Sequence, residues 1–520
     1  MARAIHMRWK LTGTLVACSP LHVGGMGGDA DVDLTLAVDG QGRWYIPGTS
    51  LAGALREHTR ARAGTKRCDR LWGYQTNGDG HASHVVIEDA GVQLPAGGFI
   101  EVREGVGIDR VTGAAAREIK YDRAVLPQGS RVALSLTVEV PAEKDEAGFG
   151  ALLGDLCKAL EDRGVALGAA RTRGLGHVKL EGARLVRRDL RTKQGTLAAL
   201  RGKDPELRMD SLAAPEGLVP IPELQLLIHW VPLGPVMVKA EQSGIAVDAL
   251  PLTTAHDGKL AFVVPGSALK GLLRSHAERI VRTVTGTGAP VIAQDGRDRF
   301  LSQLRLPLVD EIFGAVRGAF TEEGDDVSRP TEEGDAAPRL GRGALSVDDC
   351  LSNEEVERER WTAVTRAETS GALNAALSNA GLPKAQQAFH VAVDRWTGGA
   401  AENLLFTVLE PWGITWKPIE IRVDLRRIPS ELRLAAVTLL LLVVRDMARE
   451  QVSIGFASTR GMGAMKVESV DVKGTGLDAN MASLVGLKLV NGAMAGIPEV
   501  VRNSLNEAWK GWFTSMRGEL

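Results

Sequence analysis

At 520 residues the chain exceeds what one hydrophobic core ordinarily organises, so two or more domains are expected. Its 24% charged and 44% apolar residues are globular values, and a formal charge of −2 excludes a globally basic chain, leaving any nucleic-acid surface to a local stripe. Aromatics at 4% argue against a base-stacking platform as the main binding mode.

The four cysteines, Cys18, Cys68, Cys157 and Cys350, are dispersed with no CxxC pair, so they read as separate reduced thiols without a zinc signature. The N-terminal MARAIHMRWKL lacks the apolar core of a signal peptide, and the longest apolar run, Leu434–Val444, is too short for a bilayer and reads as a buried helix. A cytoplasmic protein without a membrane contact is expected.

In chain order, Met7–Ser19 reads as a first strand feeding His22-Val23-Gly24-Gly25 and an acidic loop, GGDADVDLTLAVDGQG. Ile46–Arg56 (IPGTSLAGALR) then joins a Pro-Gly turn to an apolar-periodic helix. Thr49 stands at the expected N-cap, and Gly53, costly inside a helix, suggests close approach of another backbone. Leu71-Trp72-Gly73, a strand at Val85–Ala90 and a polar segment with the turn IDRVTG (Ile108–Gly113) follow. Arg131–Val140 alternates as a strand, Phe149–Asp162 reads as an amphipathic helix, and the loop TRGLG leads into a closing strand.

Val186–Ala214 is polar and mixed, as a linker would be, and the same landmarks then recur in the same order. They are a strand at Leu224–Val231, Val264–Arg274 (VPGSALKGLLR) with Ser267 at the cap and Gly271 in the helix, Ile312-Phe313-Gly314, VDRWTG at Val393–Gly398, a helix from about Ser430 to Arg449, and TRGMG within Ser453–Val467. The expected organisation is a first domain over 1–185, a linker over 186–221, a second domain over 222–470 with an insertion at about 276–390, and a C-terminal helical extension over 471–520. The acidic stretch TEEGDDVSRPTEEGDAAPR within the insertion reads as solvated loop. Duplicated strand–helix–strand halves predict an α+β fold of two tandem ferredoxin-like domains, each an antiparallel sheet with helices on one face.

The combination of HVGG, IPGTSLAGALR, LWG, IDRVTGAA and TRGLGHVKL resembles the RAMP superfamily, and most of all the backbone subunits of type III CRISPR effector complexes. The likeness covers most of residues 7–185 and, more loosely, 222–470; two such domains in one chain resemble the double-backbone fusion of subtype D. It implies an RRM-like core with a protruding β-hairpin thumb, a CRISPR guide RNA held along each domain, and complementary target RNA paired to that guide. It also implies the other backbone, large and small subunits of the effector as partners.

By the same resemblance, RNA contacts fall to Thr49, Ser50, Arg56, Arg60, Asp109, Arg110, Thr112, Lys120, Arg171 and Arg173 in the first copy. In the second they fall to Ser267, Lys270, Arg274, Asp394, Arg395, Thr397 and Arg460. The residues alone leave alternatives open. The glycines of TRGLG and TRGMG either bring backbone N–H groups to phosphates or serve positive φ. The helix cations either meet phosphate at a positive helix end or form a solvated face. Asp109-Arg110 and Asp394-Arg395 are either hairpin ion pairs or parts of a wedge in the duplex.

In the family the cleaving aspartate lies in the loop before the strand that enters the Pro-Gly turn. Asp248 in AVDALP occupies that place in the second half; in the first, Asp33 fits best, with Asp29 and Asp31 as rivals and His22 as a possible helper. A lone aspartate suits RNA cleavage because the 2′-OH of a splayed nucleotide attacks its own phosphate, giving a 2′,3′-cyclic phosphate. Asp33 and Asp248 would then hold a divalent metal, Mg²⁺ or Mn²⁺, or accept the hydroxyl proton. For any one of them a turn-capping role is the alternative. The resemblance thus implies a metal-dependent endoribonuclease; an inactive RNA-binding scaffold and a guide-processing endoribonuclease are the other readings.

Overall fold

The computed structural model describes residues 4–25, 32–141, 146–202, 206–207, 212, 217–291, 296–315, 341–490 and 496–518. Asp29, Asp31 and the acidic low-complexity stretch lie outside the described residues. The chain forms two compact units. One comprises Met1–Arg103, Asp122–Arg171 and Leu175–Ile221; the other comprises Glu104–Tyr121, Thr172–Gly174 and Pro222–Leu520.

In the first unit Ile5–Ala17 is the central strand, antiparallel to His177–Asp189 on one side and to Arg131–Pro141 on the other. Val85–Ile87 and Ala90–Gln93 pair with the far edge of Arg131–Pro141. Strand alternation sends Met7, Trp9, Leu11, Leu15 and Ala17 to one face. The helices Gly48–Trp72 and Glu146–Asp162 supply Leu51, Leu55, Leu153, Leu156 and Leu160 to the same core. The stretch read as a linker continues the strand to Asp189 and then forms the helix Lys193–Arg201.

The second unit repeats this plan. Glu223–Pro232 lies between Ile419–Asp424 and Met465–Thr475, and Leu345–Val347 extends the sheet beyond Ile419–Asp424. Its two helices are Gly266–Thr285 and Arg433–Ala448, the latter built on the apolar run singled out in the sequence. Each copy therefore has the order of a ferredoxin-like α+β fold, with the closing strand beside the first. The C-terminal helix is Glu499–Gly518. Among the described residues no helix is long and apolar enough to cross a membrane.

The Pro-Gly helices correct two expectations. Thr49 and Ser267 are not N-caps: the helices start at Gly48 and Gly266, and the cap positions are Pro47 and Pro265. The first N–H of each helix instead donates to an aspartate on a neighbouring strand connection, Gly48 N to Asp89 Oδ1 and Gly266 N to Asp349 Oδ1, both at 2.7 Å. The close backbone approach is also at these glycines. A Cβ on Gly48 would stand 2.4 Å from Ile87 O, and one on Gly266 2.3 Å from Val347 O, whereas Gly53 and Gly271 have nothing within 4 Å. An aspartate accepting at the helix start removes the need for a hydroxyl there, and Thr49 and Ser267 stay exposed.

Candidate functional site

Asp248 is exposed and anchored to one residue. Its Oδ2 accepts from Thr407 N at 2.7 Å and Thr407 Oγ1 at 2.9 Å, while its own N–H donates to Thr407 Oγ1 at 3.0 Å. Thr407 lies on Ala400–Glu410, the return strand of the second hairpin, and Ala249 forms a parallel bridge with Val408. The Thr407 donors, backbone first, hold the Asp248 carboxyl below its usual range, with Lys239 adding to the effect.

Asp33 occupies the same place in the first copy despite its different distance from the Pro-Gly turn. Its N–H donates to Asp122 Oδ1 at 2.6 Å, and Asp122 N donates back to Asp33 Oδ2 at 3.0 Å. Leu34 bridges Arg123 in parallel, as Ala249 bridges Val408. Among the Asp29, Asp31 and Asp33 alternatives, Asp33 is thus the one described, and it sits where Asp248 sits. Its partner is a second carboxylate where the other copy has a hydroxyl. Neither Asp122 nor Thr407 was singled out in the sequence, although Asp122 follows Asp109 at the interval at which Thr407 follows Asp394.

His22 is buried, and its Nδ1 lies 2.7 Å from the Ala124 carbonyl. The carbonyl can only accept, so Nδ1 carries the proton. Burial, the largest cause, lowers its pKa. Met237 is its counterpart: Ala169 N donates to His22 O as Phe456 N donates to Met237 O. A position filled by methionine in one repeat and by a buried neutral imidazole in the other serves packing.

The hairpin tips are two copies of one Asx turn. Asp109 Oδ1 accepts from Val111 N, Thr112 N and Thr112 Oγ1 at 2.9, 2.8 and 3.2 Å. Asp394 Oδ1 accepts from Trp396 N, Thr397 N and Thr397 Oγ1 at 2.9, 2.7 and 3.0 Å. Gly113 and Gly398 close the turns at φ 68° and 69°. The conserved geometry explains Asp, Thr and Gly in DRxTG without any ligand. The backbone donor of Thr112 leads the effects that hold Asp109 down to about 2, and the same donors lower Asp394. The first tip belongs to the second unit, where Arg110 pairs with Glu278 at 2.6 Å and Gln303 Nε2 donates to Asp109 Oδ2 at 3.0 Å. Asp109 and Arg110 are thereby committed to protein contacts. Arg395 has no side-chain partner among the described residues, and Trp396 is 96% exposed. Lys120 pairs with Glu104 on the opposite arm.

In the Gly/Arg loops, a Cβ on Gly176 would meet Leu167 O at 2.0 Å and one on Gly463 would meet Ile454 O at 2.2 Å. These glycines, with φ 90° and 81°, serve a close chain crossing. Arg460 is exposed and lies over Phe406 at 5.6 Å and Phe456 at 5.4 Å. Phe406 precedes Thr407 and stacks on His390, with centroids 5.2 Å apart. The second unit therefore assembles Asp248, the hairpin's return strand and Arg460 around the small cluster of Met237, Ala249, Val408 and Met462. In the first copy Arg173 donates to Tyr121 OH at 3.0 Å, and Arg171 pairs with Glu57 at 3.0 Å. Tyr121 stands before Asp122 as Phe406 stands before Thr407.

The helix arginines are structural clamps. Arg56 donates to Asp69 and to Gly73 O at 2.9 and 2.7 Å; Arg274 donates to Asp310 and to Gly314 O at 3.0 and 2.6 Å. They fix the LWG and IFG landmarks, which is why those landmarks recur. Arg60 shares Asp69 at 3.3 Å. Lys270 is buried and donates to Leu345 O at 2.8 Å; burial, with Arg173, Arg274 and Arg342 nearby, lowers it to about 7. Of the cations expected at RNA on the helices, Arg56, Arg274 and Lys270 are thus taken up by the fold. The exposed groups are Thr49, Ser267 and Arg60, with Ser50 half-buried.

Fold and site together define a tandem protein of two ferredoxin-like domains, each with an aspartate loop tied to the return strand of a hairpin. The RAMP superfamily model matches residues 14–179 and 252–466, one stretch in each repeat, and the chain belongs to that superfamily. The family is one of CRISPR-associated RNA-binding subunits, and the two matches fit a tandem RAMP fusion. No curated protein matches the chain.

Proposed function

We propose that the protein is a double-backbone subunit of a type III, subtype D-like CRISPR effector, which holds guide RNA and cuts paired target RNA at its two aspartate loops. The observation that carries this reading is the Asp248–Thr407 anchor, which sets an exposed carboxylate at the root of a hairpin arm. Arg460, exposed over Phe406 of the same strand, adds a guanidinium suited to a phosphate.

A carboxyl held below its usual range stays anionic at neutral pH and is a weak proton acceptor. The role that suits Asp248 is therefore electrostatic. Its Oδ1 has no hydrogen bond among the described residues, so one carboxylate oxygen is open to a divalent ion; in the first copy Asp33 and Asp122 offer two carboxylates. One or two carboxylates plus substrate phosphate suit Mg²⁺ better than a full protein cage. When bound, the ion would stabilise charge on the phosphate and acidify the attacking 2′-OH. The hairpin would splay the target so that the 2′-OH lines up with its own phosphate. The cluster His256, Asp257 and Glu355 is a poorer metal site, because Lys417 Nζ already lies 3.2 Å from His256 Nε2.

Cleavage of complementary RNA by the assembled complex, with Mg²⁺ and with chelator, tests the reading. Metal-dependent products ending in 2′,3′-cyclic phosphate support it. Tight target binding without products assigns the chain to the inactive scaffold.

A further inference from the structure

We propose that Gln387, together with the end of the helix Arg358–Thr365, positions Asp248, so that the second cut depends on a brace supplied by the insertion. The inference rests on the proposed cleavage and deepens it, because it names what aims the carboxylate.

Asp248 lies in a short loop whose backbone is tied on two sides. On one side Asp248 N and Ala249 N donate to Thr407 O at 3.2 and 3.0 Å. On the other, Ile245 N donates to Thr365 O at 3.0 Å and Ala246 N to Ala367 O at 3.1 Å. A helix end leaves its last carbonyls without intrahelical donors, and here the aspartate loop supplies donors at the end of Arg358–Thr365. Gly244 N closes the loop on Val247 O at 2.7 Å. Val247 and Ala249 are buried, and Asp248 between them is exposed.

Gln387 is the side chain that locks this arrangement. It stands on Gln386–Val393 opposite Leu409 and reaches past the return strand to the loop. Its Nε2 donates to Ala246 O at 2.6 Å, where Thr407 Oγ1 also donates at 3.3 Å. The same Thr407 hydroxyl donates to Asp248 Oδ2, so Gln387 and Asp248 share one anchor. Gln387 Oε1 is buried without a partner among the described residues. A buried amide oxygen without a donor is unfavourable, and the bond to Ala246 is what the side chain gains in its place.

The first repeat has no such brace. Counted back from the tip residues Asp109 and Asp394, the place of Gln387 is taken by Val102, which has no amide. Between Ala90–Gln93 and Glu101–Ile108 runs only the helix-free connection Leu94–Ile100. Asp33 is held through Asp122 instead, so the two cuts should respond separately.

The test compares the wild-type chain with Gln387→Ala and with Gln387→Glu, which keeps the shape but removes the donor, each in the assembled complex. Single-turnover rates are read at each cut on labelled target RNA, and target affinity is measured separately. A misplacement of about 1 Å can cost about a hundredfold in rate, so the Asp248 cut should slow by roughly tenfold or more in both variants. The Asp33 cut and target affinity should stay at wild-type levels. Amide exchange at Ile245 and Ala246 should accelerate in the same variants, a readout independent of cleavage. An unchanged Asp248 cut, equal slowing of both cuts, lost target affinity or unchanged exchange would overturn the proposal. A wild-type complex that binds target and makes no cut would sink the proposed function instead, and exchange alone would then decide the brace.

Discussion

Replacing Arg274 separates a structural clamp from an RNA contact. The side chain is 14% exposed and donates to Asp310, Gly314 O, Leu304 O and Glu278 at 3.0, 2.6, 2.8 and 2.8 Å. Arg274→Ala leaves the Asp310 carboxylate, 12% exposed, without its ion-pair partner, deprives Glu278, 2% exposed, of one of its two arginines, and takes a donor from each of two carbonyls. Asp310 is already pushed up to about 6 by burial, with Arg274 opposing the rise, so it would take up a proton rather than stay charged. Breaking such a pair costs about 3–5 kcal/mol. For a unit of this size the melting temperature should fall by roughly 10 °C. The assay is thermal unfolding of RNA-free protein followed by circular dichroism, with Arg460→Ala as the exposed control, which should leave the midpoint nearly unchanged. Arg56→Ala should cost only about 1 kcal/mol, because that side chain is about a third exposed. If Arg274→Ala melted like wild type but lost RNA affinity, the clamp reasoning would be refuted.

The two glycines of each Pro-Gly helix should respond oppositely. Gly271→Ala, with nothing within 4 Å of the new Cβ, should stabilise by about 1 kcal/mol, whereas Gly266→Ala, aimed at Val347 O, should destabilise; urea midpoints decide, and equal shifts would contradict the geometry. The docked first tip should also depend on acid. Asp109 falls from 3.8 to about 2 on folding, so its stabilising contribution is fully present above about pH 4 and is lost as pH falls through 2. Amide exchange at Val111 and Thr112 should accelerate over that window. Protection unchanged down to pH 2 would remove Asp109 from the account.

Much of the fold was legible because duplication prints the same landmarks twice. Strand alternation at Met7–Ser19 and the Pro-Gly helices gave the ferredoxin-like repeat directly. What the sequence misassigned were polar residues whose partners are distant in the chain. Thr49 and Ser267 look like caps until Asp89 and Asp349 arrive from another strand, and Arg56 and Arg274 look like phosphate ligands until LWG and IFG fold back on them. The aspartate loops show the converse: Asp33 and Asp248 align poorly by distance to Pro-Gly, yet each is fixed by the same rung of its hairpin. Loop length varies freely while a strand register does not, so register was the better guide.

The most direct test of the central claim is product mapping on target RNA with the assembled complex carrying Asp248→Ala. One cut should vanish while target affinity and the cut assigned to Asp33 persist. Retention of every product band, in that variant and in Asp33→Ala, would contradict cleavage at these loops.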